Sequence, residues 1–136
     1  MSESVKTSKR QFRNISLADL TRYRFPIGSI VSILHRISGA FMFLLLPAIL
    51  WLLDKSLYSE ISFDYFKGVT DHWFVRLVLL ALVWAYLHHL CAGVRHLLMD
   101  MHMGLDKPTS KQSGILALSV SLTLTALVAL KLFGAF

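Results

Sequence analysis

Residues 73–99, WFVRLVLLALVWAYLHHLCAGVRHLLM, decide the fold. The stretch is uncharged over residues 77–94, and at a rise of about 1.5 Å per residue it is long enough to cross a hydrocarbon core of about 30 Å. It therefore reads as a membrane-spanning helix. Two similar stretches flank it, so the spacing predicts three spans, over about residues 29–53, 73–99 and 113–136. The first is fully uncharged only over residues 37–53, which puts His35 and Arg36 inside its first third. Pro47 can kink it, and Trp51 suits an interfacial anchor. In the third, Lys131 lies close enough to the end of the span to snorkel.

Composition agrees. Of 136 residues 55% are hydrophobic, with 14 Lys and Arg against 8 Asp and Glu, and the mean hydropathy is +0.59. Three spans would use most of the chain and leave little for a soluble catalytic domain. There is no strand-like alternation and no internal repeat, so the expected fold class is an all-α membrane protein. Its expected organisation is a polar, basic segment over residues 1–28 and a transmembrane domain over residues 29–136. The single cysteine, Cys91, excludes an intrachain disulfide and any cysteine-ligated cluster or structural zinc site built by this chain alone.

The net charge of +6 does not point to nucleic acid. Lys6, Lys9, Arg10, Arg13, Arg22 and Arg24 precede the first apolar run, as a juxtamembrane basic segment does. That segment is too long and too charged for a signal peptide and lacks a small-residue cleavage site, so it is expected to be retained, with its first dozen or so residues disordered. The connection between the first two spans carries Asp54, Glu60, Asp64 and Asp71 against Lys55 and Lys67, whereas the second carries Lys107 and Lys111 near Arg95. By the excess of Lys and Arg, the N-terminus and the second connection face the cytoplasm. The C-terminus then faces the periplasm, or the intermembrane space of an organelle.

Ionisable residues within spans are costly and mark function. On the second span His89, Gly93 and His96 follow i, i+4, i+7 and share one stripe. Counting back from Asp100, His89 lies roughly 16 Å in, and His96 roughly 6 Å. A neutral imidazole at mid-membrane suits an axial haem ligand. Gly93 would admit a flat macrocycle or another helix, and Arg95 and His96 are placed to meet carboxylates. Spacing alone equally allows His89 to bond across a bundle and Gly93 to serve packing. His88 sits about 100° round the helix and could itself be the ligand. One stripe cannot ligate a haem from both sides, so a second ligand would come from His35 or another subunit. On the first span Ser32, Arg36 and Gly39 form a second stripe, beside His35 and Ser38. Arg36 could hold a propionate, pair with Asp100, donate to a quinone carbonyl with Ser32, or snorkel to lipid phosphate.

Together Arg24-Phe25-Pro26, Ser32-Ile33-Leu34-His35-Arg36-Ile37-Ser38-Gly39 and His89-x-x-x-Gly93-x-Arg95-His96 with Asp100 resemble the cytochrome b membrane-anchor subunit of succinate dehydrogenase, complex II. The resemblance covers nearly all of the chain beyond its N-terminal tail. It implies that His89 is an axial ligand of haem b, the iron's other ligand coming from a second small membrane-anchor subunit. It also implies that Ser32 and Arg36 belong to a ubiquinone site, and that His35, Arg36, Arg95 and His96 surround the haem propionates. The implied partners are a flavoprotein subunit and an iron-sulfur subunit, which oxidise succinate and pass electrons to quinone at the cytoplasmic face of a bacterial inner membrane, or the matrix face of a mitochondrial one. The His88-His89 pair departs from the pattern and leaves the ligand's identity open. Two other readings stand beside this one: the anchor of a fumarate reductase, and a structural or assembly protein using its histidines for packing. A small transporter is disfavoured, because no inverted repeat or pair of broken helices is found.

Overall fold

The computed structural model describes residues 24–134. Its elements are four helices: α1 (Ile27–Tyr58), α2 (Glu60–Thr70), α3 (Trp73–Asp100) and α4 (Lys107–Leu132). Three of them, α1, α3 and α4, are long and apolar enough to cross a membrane. The fold class is thus all-α and transmembrane. Of the polar N-terminal segment, residues 1–23 lie outside the described residues.

The central helix is α3, which packs against both α1 and α4. What it buries is small or polar: Ala85, His88, Ala92 and Arg95, facing Val31 and Ser38 of α1 and Gly114, Ala117 and Ser121 of α4. Large apolar side chains such as Phe43, Leu44, Leu97 and Leu116 point outwards. This inversion follows from the solvent. Lipid rewards exposed Leu and Phe, so helices associate through close-packed small residues and interhelical hydrogen bonds. At Gly114 an added Cβ would lie 3.3 Å from Ile27 Cγ2, which shows how closely α1 and α4 approach.

Helices outrun their apolar cores. α1 continues past Asp54 and Lys55 to Tyr58, and is helical through Pro47. α4 begins at Lys107 rather than near residue 113, because Asp106 caps it by accepting from Thr109 N and Pro108 sits in the first turn. The backbone turns between α3 and α4 with His102 and Gly104 at positive φ, 62° and 69°. Hydropathy locates the membrane-immersed stretch, whereas capping sets where a helix ends.

The connection read from sequence as merely polar contains α2. Ser59 and Ser62 cap it reciprocally: Ser59 Oγ accepts from Ser62 N at 3.2 Å, and Ser59 N donates to Ser62 Oγ at 3.1 Å. The usual box has Glu or Gln where Ser62 stands, which hides the signal. Beyond α2, Arg76 pairs with Asp71 at 2.8 Å. Lys131 lines a cleft with both residues, at the end of the bundle away from the α3–α4 turn.

Candidate functional site at the seam between α1 and α3

Polar side chains within the spans fall into three settings. The first is the α1–α3 seam. The His89 ring stacks on His35, with centroids 4.0 Å apart and planes 13° from parallel, and His35 meets His96 at 5.1 Å with a 58° tilt. His89 Nδ1 lies 3.0 Å from the His35 carbonyl oxygen and 3.2 Å from Ser38 Oγ. The Ser38 hydroxyl donates to the same carbonyl at 2.9 Å. A carbonyl can only accept, and the hydroxyl proton is already committed to it, so Nδ1 must carry the proton. Nε2 is then the ring nitrogen whose lone pair an uncharged imidazole offers.

Glycine makes room for this ring. A Cβ on Gly39 would stand 2.8 Å from His89 Cε1, closer than side chains tolerate. A Cβ on Gly93 would lie 3.5 Å from His35 Nε2, an ordinary contact. Gly39 is therefore the position on which the placing of His89 depends, and Gly93 faces α1. The histidines, Gly39 and Gly93 are only half-buried, so the seam stays accessible along one side.

The second setting is the interior. His88 is completely buried and stacked on Trp84, with ring centroids 5.5 Å apart. Neither His88 ring nitrogen nor Trp84 Nε1 has a hydrogen-bond partner of acceptable geometry, although the Val31 backbone is near enough to interact with the imidazole. Adjacent in sequence, His88 and His89 thus occupy different environments. The helix turn of about 100° puts one in the bundle and the other on its seam.

The third is the contact between α3 and α4. Arg95, 5% exposed, donates from Nε to Ser113 Oγ at 3.1 Å, and from Nη2 to Ser110 Oγ at 3.0 Å and the Ser110 carbonyl at 3.3 Å. Gly28 closes over it, since a Cβ there would lie 3.2 Å from Arg95 Nη2. Its Nη1 keeps two donors for a ligand. Sequence reasoning missed this clamp. Its signal was present as two serines three residues apart, opening the third span at the depth of Arg95.

The motif residues nearest the α3–α4 turn are brought together in part. Ser32, Arg95 and His96 line one cleft of about 1090 Å³, with Arg24, Lys107 and Lys111 at its mouth. Arg36 is not in that lining. It is exposed on α1, makes no hydrogen bond or ion pair with another described residue, and lies close enough to His35 and His96 to interact with both electrostatically. Among the described residues Asp100 forms no ion pair with it.

A three-span transmembrane protein, with an imidazole seam along one side and a basic cleft at one end, is the class that these features define. The comparisons are specific about which. The chain belongs to the succinate dehydrogenase/fumarate reductase transmembrane subunit family, whose model matches residues 9–128. It is 37% identical over 105 residues to the succinate dehydrogenase cytochrome b556 subunit of Coxiella burnetii, covering 76% of this chain and 83% of that one. To the subunit of the same name from Paracoccus denitrificans it is 31% identical over 111 residues, covering 82% and 85%. The succinate dehydrogenase cytochrome b560 subunit of Marchantia polymorpha is 34% identical over 104 residues, covering 73% and 76%.

Proposed function

We propose that this chain is the haem b- and ubiquinone-binding anchor of a succinate dehydrogenase in a bacterial inner membrane, with its N-terminal segment, residues 1–28, in the cytoplasm. The observation that carries the reading is the contact of His89 Nδ1 with the His35 carbonyl oxygen. With Nδ1–H held by the His35 carbonyl, Nε2 is left to bind iron, and a hydrogen bond of this kind orients metal-ligating histidines. His88 offers no comparable position, because its ring is enclosed by protein on every side.

Residues around the seam match the rest of such a group. His35 and His96 stand beside His89, and Arg36, with the free Nη1 of Arg95, supplies charge for propionates. A second anchor subunit would supply the other group that holds such a haem, across the accessible side of the seam. Haem b held there supplies a one-electron carrier at the edge of the quinone site. Ser32 and Arg36 lie one helical turn apart at the cytoplasmic end of α1. Arg36 donates to a quinone carbonyl oxygen and stabilises the negative charge that grows on it during reduction, and Ser32 adds a neutral donor. Succinate oxidation itself belongs to the flavoprotein and iron-sulfur subunits on the cytoplasmic side.

Affinity purification through a tag on this chain tests the assignment. Recovery of a flavoprotein, a cysteine-rich iron-sulfur protein and a second small membrane subunit, with b-type Soret and alpha bands, is the expected result. A chain purified without these bands, or without those partners, would leave the structural or assembly reading instead.

A further inference from the structure

The connecting helix α2 has three faces, set by about 100° of turn per residue. Ser62 and Phe66 turn towards α1, where Ser62 Oγ donates to the Lys55 carbonyl at 2.7 Å and Phe66 meets Trp51 edge to face at 6.0 Å. Glu60, Asp64 and Lys67, at i, i+4 and i+7, make a charged row. Ile61, Tyr65 and Val69, at i, i+4 and i+8, make an apolar row that the described residues leave open, most at its start: Ile61 is 84% exposed, Tyr65 69% and Val69 40%. At about 16 Å the helix is far too short to span the membrane.

The position of the apolar row says what covers it. It lies in sequence between exposed Leu57 and Tyr58, which close α1, and exposed Trp73 and Phe74, which open α3. Those are the ends of two spans, where aromatic side chains meet the headgroup region. An 11-residue helix, tied at both ends to span termini and divided into a charged row and an apolar row, has the form of an in-plane interfacial helix. We propose that α2 lies flat in the membrane surface opposite the α3–α4 turn. Its Ile61, Tyr65 and Val69 row sits at the boundary of phospholipid headgroups and acyl chains, and its Glu60, Asp64 and Lys67 row faces water. The pin of Ser62 on Lys55 and the packing of Phe66 on Trp51 fix the roll of the helix, so that the apolar row faces lipid rather than the compartment.

The test uses the assembled complex in native membranes opened on both sides, so that it does not depend on topology. With the chain's own thiol removed as Cys91→Ala, cysteines are introduced one at a time as Asp64→Cys and Tyr65→Cys, adjacent exposed positions on different rows, and a membrane-impermeant maleimide is scored by the mass shift of this chain. Asp64→Cys is expected to label several-fold faster than Tyr65→Cys. In a second arm a photoreactive benzoylphenylalanine replaces Tyr65, and the expected product is this chain carrying a phospholipid adduct. Equal labelling of the two positions would overturn the proposal, because it would place the apolar row in water. A crosslink from position 65 to another polypeptide would also overturn it, because the row would then be a subunit interface.

Discussion

The two contacts made by α3 use intramembrane polarity in opposite ways. Against α4, Arg95 is sealed at 5% exposure and directs three hydrogen bonds to Ser110 and Ser113. Against α1, His89 is only half-buried, fixed through one ring nitrogen and without a hydrogen bond at the other among the described residues. The closed contact spends Arg95 Nε and Nη2 within the chain and leaves only Nη1, whereas the open one keeps a ring nitrogen for something outside it. Polar residues in a span are therefore not equivalent marks of function. The accounting of each donor and acceptor separates the clamp from the site.

Arg36 carries the largest expected effect on the open side. Arg36→Leu should lower the ratio of quinone-reductase to dye-reductase activity by about 100-fold, as loss of a preorganised charged donor does. Arg36→Lys should recover little, because an ammonium lacks the guanidinium fork. Ser32→Ala should fall between wild type and Arg36→Leu. An unchanged ratio in Arg36→Leu membranes, normalised to bound flavin, removes Arg36 from the quinone site.

On the closed side the effect falls on stability. Arg95→Lys should cost about 1.5–3 kcal/mol, the range of a hydrogen bond to a charged group, because an ammonium stays buried with fewer partners. Arg95→Met removes the charge with the bonds and should cost less. Thermal retention of the chain in membranes ranks the two, and a Lys variant as stable as wild type would mean that the serine clamp contributes nothing.

The two seam glycines differ in what a methyl group would meet. Gly39→Ala drives a methyl against His89 and should cost about 1–3 kcal/mol by overpacking, with a shifted or weakened b-type spectrum. Gly93→Ala makes an ordinary contact and should leave the spectrum near wild type. The reverse ranking would show that the His89 ring sits elsewhere in the assembled complex.

The smallest effect is expected at the cap of α4, outside the membrane. Hydrogen bonds from the Thr109 hydroxyl, at 2.7 Å, and from Thr109 N hold the Asp106 carboxyl below its ordinary value. A depressed carboxylate stabilises the fold above its unfolded pKa of about 4, and that contribution is lost as pH falls through the folded value. Asp106→Ala should therefore be slightly less stable than wild type near neutrality, and the gap should close on acidification. A gap independent of pH would mean that the carboxylate charge is not what caps the helix.

Much of this was legible in the sequence because lipid simplifies the code. Length and hydropathy locate three spans, and a period of 3.6 puts His89, Gly93 and His96 on one stripe. What periodicity does not carry is which neighbour a stripe faces. It could not tell that Gly93 faces His35, that Gly39 sets the His89 ring, or that Arg95 turns to α4. Nor could it separate His88 from His89, since a single 100° step takes one into the bundle and the other to the seam. Helix α2 was hidden for a different reason, because its cap uses Ser62 where the usual signature has Glu or Gln.

Reduced-minus-oxidised absorption spectra of the purified complex, carrying either His89→Ala or His88→Phe, decide which histidine holds the haem. His89→Ala should lose or severely weaken the b-type bands, whereas His88→Phe should keep them, since a buried ring is replaced by another ring that needs no hydrogen-bond partner. Loss of the bands in His88→Phe with retention in His89→Ala would contradict His89 as the ligand, and would move the haem from the seam to the interior of the bundle.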